Sequence, residues 1–180
     1  AGLQFLKQIG VDDVDLRLEY LKEYQTTGTL TRTSVQQIVN RYSEFGLRIN
    51  LVSVSIKHLW DAYFGRGDSE KQIRQFCELI FNVGEAGIGL VGIKANNAQY
   101  LDPAGPPGYK IGHGRGGYGQ PGISLIDAER VMDQPMGTLD PEQIWDGYRR
   151  VYTEVIPVAE EAGVRLCQHG NDPPVEIYRG

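Results

Sequence analysis

Apolar residues recur along this chain at two spacings, and the two alternate. Val35, Ile38, Val39, Tyr42 and Phe45 share one helical face, with Thr33 or Ser34 placed to cap its start and Gly46 to end it. The same period returns in Ile73, Phe76, Cys77, Ile80 and Val83, opened by Asp68 or Ser69 and punctuated by Gly84 and Gly87. Asp140-Pro141-Glu142 starts a third long helix, with Asp as N-cap and Pro at the first helical position. That helix runs toward Gly163 and is expected to kink near Pro157, where an amide donor is missing. Between the helices lie runs of strand character: the alternating Val11 to Leu16, then Leu47 to Val54, Ile88 to Ile93, and Val164 to Gln168, ending at His169. Leu3 to Ile9 reads as the end of a short helix closed by Gly10.

The order is therefore strand, helix, strand, helix, strand, long loop, helix, strand. Such alternation predicts a parallel sheet joined by right-handed crossovers. Two closures compete: an open doubly wound sheet and a (β/α)8 barrel, which normally takes about 250 residues. A helix with no strand before it opens the chain and a strand lies near its close, as in a cut through a repeating architecture. The expected fold class is α/β, a partial TIM barrel of parallel strands with crossover helices. Residues 1–180 are expected to form a single incomplete barrel domain with a Gly-rich loop at about 96–133.

Composition narrows the function. The chain is 41% hydrophobic and 23% charged with net charge -5, which argues against a nucleic-acid backbone as partner. No window approaches the roughly 20 apolar residues of a membrane span, and no charged-then-apolar leader is read at the start. The two cysteines, Cys77 and Cys167, make neither a disulfide framework nor a zinc-finger pattern, so a reduced cytoplasmic setting is expected. Many of the 23 glycines fall between Gly105 and Gly122.

Parallel α/β architectures bind ligands at the carboxyl ends of their strands. The positions to inspect are Lys57 and His58 after the second strand, Lys94, Asn96 and Asn97 after the third, and His169, Asn171 and Asp172 after the fourth. All three histidines, His113 in the long loop included, follow strands or lie in loops, where surface histidines also gather without a function. A neutral imidazole at a strand end is a good divalent-metal ligand, so His169 is the leading candidate, with Asp172 to ligate or orient it. Pro173-Pro174 stiffens the turn. Cys167 lies two residues earlier on the same strand face, either near the metal or as a small interior residue. Cys77, on an apolar helix stripe, reads as core. Gly112 to Gly119 fits neither dinucleotide-binding nor P-loop spacing and lacks the strand and helix those motifs need. It is either a flexible surface loop or a mobile loop whose Arg115 clamps a substrate carboxylate.

The run from Val155 to Leu166 (Val-Ile-Pro-Val-Ala-Glu-Glu-Ala-Gly-Val-Arg-Leu), followed by His169 and Asp172-Pro173-Pro174, resembles the mannonate dehydratase family. Gly46-Leu47-Arg48 leading to Ser53-Val54, and Gly84-Glu85-Ala86-Gly87-Ile88, resemble the same family upstream. The resemblance implies a (β/α)8 barrel of the xylose-isomerase-like group. It would convert D-mannonate to 2-keto-3-deoxy-D-gluconate with a divalent metal, Mn2+ or else Fe2+ or Mg2+. It makes His169 a metal ligand and implies further ligands (a cysteine, a second histidine and an aspartate) from later strands. Substrate contacts are expected from His58, Asn96, Arg115, Asn171 and Asp172, and no catalytic base is assigned. Gly170 and Asn171 stand where the family usually has proline and aspartate, and His58 matches an upstream family histidine only loosely. A sugar isomerase or epimerase on the same barrel, and a non-catalytic half-barrel assembly module, are the alternatives. The expected partners are a small sugar acid and further copies of the chain.

Overall fold

A computed structural model describes residues 2–94, 108–130 and 140–170, together with Glu176. Asn96, Asn97, Asn171, Asp172, Pro173 and Pro174 lie outside the described residues. The chain opens with α1 (Gly2–Gln8) and turns through Gly10, whose φ of 87° favours glycine, into β1 (Asp13–Arg17). A 3-10 turn and α2 (Lys22–Thr27) lead to α3 (Arg32–Ser43). β2 (Arg48–Ser55) is followed by a 3-10 turn at Ile56–His58, then by α4 (Trp60–Phe64), α5 (Ser69–Glu85) and β3 (Leu90–Lys94). A hairpin of β4 (Tyr109–His113) and β5 (Gly119–Ile123) precedes α6 (Leu125–Glu129). The long α7 (Pro141–Glu161) then delivers the chain to β6 (Arg165–His169).

The four strands β1, β2, β3 and β6 form one parallel sheet in that order. Each new strand is added on the same side of the last. A doubly wound sheet reverses direction at its switch point, so the sequential order selects the barrel winding. The sheet is an open arc of such a barrel.

Its two faces differ in chemistry. Leu16, Val52, Val54, Val91, Ile93 and Val164 are buried in one core with Phe76, Leu79, Ile80 and Val83 of α5 and Val151 and Val155 of α7. Burying side chains of this size stabilises a fold by about 1.5–3 kcal/mol each, so this helix-covered face carries most of the stability. The opposite strand positions, including Asp15, Arg17, Cys167 and His169, are exposed.

Several local expectations are corrected. α3 is capped by Thr31, whose hydroxyl accepts from the Ser34 amide at 3.2 Å, so the helix starts upstream of the Thr33 and Ser34 candidates. Glu23 decides this, because its carboxylate accepts from both the Thr31 amide and the Ser34 hydroxyl. Asp68 stands at the start of α5 without a side-chain cap bond, its carboxylate meeting Lys71 instead. Cys77 is half-buried rather than enclosed, packed on the core's edge with its thiol near the Glu154 carbonyl. The Gly-rich stretch is not irregular throughout: Tyr109 to Ile123 pairs as an antiparallel hairpin. α7 continues as one helix past Pro157.

Candidate metal centre at the carboxyl edge of the sheet

His169 is the last residue of β6 and is exposed on the uncovered face. Register places its backbone beside Lys94, which lies beside Ser55, so one row crosses the carboxyl edge of three strands. The row below it runs Arg17, Ser53, Gly92 and Cys167. A β-carbon at Gly92 would stand 3.2 Å from the Cys167 sulfur. The thiol thus leans over β3 on the face that His169 shares, as the two-residue spacing predicts.

The imidazole's own contacts bear on its chemistry. Its Nδ1 faces the carbonyl oxygen of Gly170. A carbonyl only accepts, so Nδ1 carries the proton and the Nε2 lone pair is left available to a cation. Behind the strand, the Tyr152 hydroxyl of α7 donates to the Gln168 side-chain oxygen at 2.9 Å. The Gln168 amide in turn donates to the His169 carbonyl at 3.1 Å. Neither Tyr152 nor Gln168 stands out in the sequence. The only available signal was the alternation of β6, which turns Gln168 toward α7 and His169 away from it.

The other candidates go elsewhere. His58 lies in the 3-10 turn after β2, half-buried, its ring edge-on to Tyr24 at 4.7 Å. Burial, and then the charge of Lys57, hold it below its ordinary pKa of 6.5. Arg115 occupies the exposed tip between β4 and β5, where Gly116 and Gly117 both take φ of 81°. His113 closes β4 on the same hairpin. Among the described residues no group of three or more His, Cys, Asp or Glu side chains could hold a metal.

The family profile described as D-mannonate dehydratase (UxuA) matches residues 124–180, the stretch that contains α7, β6 and His169. The mannonate dehydratase of Streptococcus agalactiae serotype Ia is 23% identical over 168 residues, covering 82% of this chain and 48% of the relative. This chain is similar to mannonate dehydratases. It spans about half the length of the curated relatives it matches, as the 48% coverage of the Streptococcus agalactiae protein illustrates. Among solved structures, the mannonate dehydratase of Streptococcus suis serotype 2 superposes with a TM-score of 0.77 at 19% identity, covering 97% of this chain and 51% of that one. A D-psicose 3-epimerase from Clostridium cellulolyticum H10 gives a TM-score of 0.56 at 14% identity, over 93% of this chain and 45% of that one. At these identities the likenesses establish the fold alone, a partial TIM barrel.

The donor set of this chain can be tested against a divalent ion. An exposed imidazole with a free Nε2 and an exposed thiol on the same face suit such an ion in kind. In number they fall short of a shell. His169 would hold the metal from one side, with Cys167 within reach on the row below and Asp172 following in sequence.

Proposed function

We propose that this chain carries one corner of the metal centre of a D-mannonate dehydratase, and that His169 is its metal ligand. The carrying observation is the exposed His169, with its Nε2 free, at the carboxyl end of β6 inside the segment matched by the family profile. A bound divalent ion, Mn2+ or else Fe2+ or Mg2+, would polarise the hydroxy acid. The residues of this chain would bind and orient the substrate. Arg115 presents a fork of donors suited to a carboxylate, and His58, Asn96, Asn171 and Asp172 are the further proposed substrate contacts. The reaction removes the proton beside the carboxylate, hydroxide departs from the adjacent carbon with that proton as water, and the enol becomes the 2-keto-3-deoxy acid. A cytoplasmic setting and a homo-oligomeric assembly belong to the same proposal. Among the described residues no helix is long and apolar enough to cross a membrane.

The test is incubation of D-mannonate and manganese with the protein, following the keto-deoxy acid released. Product that disappears in His169→Ala supports the reading. No product at saturating metal from the protein carrying the complete barrel would overturn it. The same chain should bind manganese weakly by itself, since a single imidazole and nearby donors leave most of the shell to water. A tight 1:1 complex by calorimetry would contradict that expectation.

A further inference from the structure

We propose that Tyr152 is a positioning residue for His169, acting through the Gln168 side-chain amide. The inference rests on the reading of His169 as a ligand. It begins at Gly170, where an added β-carbon would meet no atom of the described residues within 4 Å. The Gly170 carbonyl facing the ring is what fixes the tautomer of His169. The peptide just before that carbonyl, between His169 and Gly170, is held from behind the sheet.

Tyr152 donates to the Gln168 oxygen, which turns the amide nitrogen toward the His169 carbonyl. An amide held the other way round would offer its oxygen to that carbonyl and its nitrogen to the hydroxyl. Tyr152 is the donor because an amide oxygen only accepts, and burial holds its hydroxyl above the ordinary tyrosine pKa. The ring is itself pinned. It stacks on Tyr148 at 6.0 Å and 12°, and Tyr148 meets Tyr63 edge-on at 5.2 Å. Tyr63 is buried, with only 6% of its surface exposed. A rigid aromatic stack on the α4–α7 seam thus ends in two hydrogen bonds that reach the peptide next to the proposed ligand. Outer partners of metal-binding histidines act in this way, and their loss typically weakens metal binding about 10- to 100-fold.

The experiment compares Tyr152→Phe, Gln168→Met and His169→Ala with the parent chain. Each is followed by its thermal midpoint, by the His169 and Gly170 NMR resonances, and by manganese-induced broadening during titration with the metal alone. His169→Ala should abolish the broadening at the end of β6. Tyr152→Phe and Gln168→Met should each shift the His169 ring and Gly170 amide resonances and weaken manganese binding about tenfold, with the midpoint nearly unchanged. Parent-like resonances and affinity in both variants would overturn the proposal, as would a lowered midpoint with unchanged affinity. If Tyr152→Phe fails to fold, the exposed Gln168→Met decides. If His169→Ala still binds manganese as the parent does, the ligand reading fails, and the positioning role then stands or falls on the His169 and Gly170 resonances.

Discussion

Gly147 marks where α7 comes closest to α4: a β-carbon there would collide with the backbone carbonyl of Tyr63. Backbone cannot swing aside as a side chain does, so Gly147→Ala must push the two helices apart. Overpacking of this kind costs about 1–3 kcal/mol, and urea denaturation should show a midpoint lowered accordingly. Asn82 makes the reverse case. It is a buried polar side chain on α5 whose amide donates to the Leu30 carbonyl at 2.9 Å. Asn82→Leu would leave that carbonyl unsatisfied, a loss of about 1–3 kcal/mol measurable in the same denaturation series. The cysteines differ for a third reason. Burial raises the Cys77 thiol's pKa and limits access, whereas Cys167 is exposed on the open face. A thiol reagent at neutral pH should therefore modify Cys167 first and Cys77 slowly, with equal rates counting against the placement of both. The face of Cys167 was legible from a two-residue count along β6, since strand parity is local. The collision at Gly147 was not, because its cause lies on a distant helix.

At the scale of elements, α7 shows how much a start signal can carry. Asp140 accepts from the Glu142 amide at 2.7 Å while Gln143 reaches back to the Asp140 amide at 3.1 Å, closing a capping box ahead of Pro141. Asp140→Ala should cost about 1 kcal/mol, seen as a lower thermal midpoint with the helix content of the folded state retained. Aspartate and proline announce this helix without tertiary help. α2 and α4 are too short to display a period, at 6 and 5 residues, and went unread. The β4–β5 hairpin was hidden differently. Gly112, Gly119 and Gly122 interrupt its strands, so it lacks the apolar alternation by which strands are recognised, and backbone pairing forms it instead.

For the molecule as a whole, acid should loosen the fold through His58 first. Its folded pKa is depressed, chiefly by burial and then by Lys57. The unfolded chain therefore takes up a proton near pH 6.5 that the folded chain resists, and stability falls as the pH drops from there toward the lower folded value. Glu23 follows at lower pH. Hydrogen bonds from the Ser34 side chain and the Thr31 amide hold its pKa below the ordinary 4.5, so the stability they confer is present above that value and is lost as pH falls through the folded one. Denaturation midpoints measured between pH 8 and pH 5 should decline, and His58→Gln should flatten that decline; an unchanged slope would show that His58 is not the group responsible.

The sequence by itself determined the three long helices, the four parallel strands and the position of His169 at a strand's end, because each follows from periods and end signals a few residues long. Only the tertiary structure decided three further things. It chose the barrel winding over the doubly wound sheet, through strand order. It set the His58 ring edge-on against Tyr24 of another element. And it tied His169 to Tyr152 on another element. Strand order, burial and cross-element hydrogen bonds all depend on segments far apart in the chain, and no local pattern records which of them will meet.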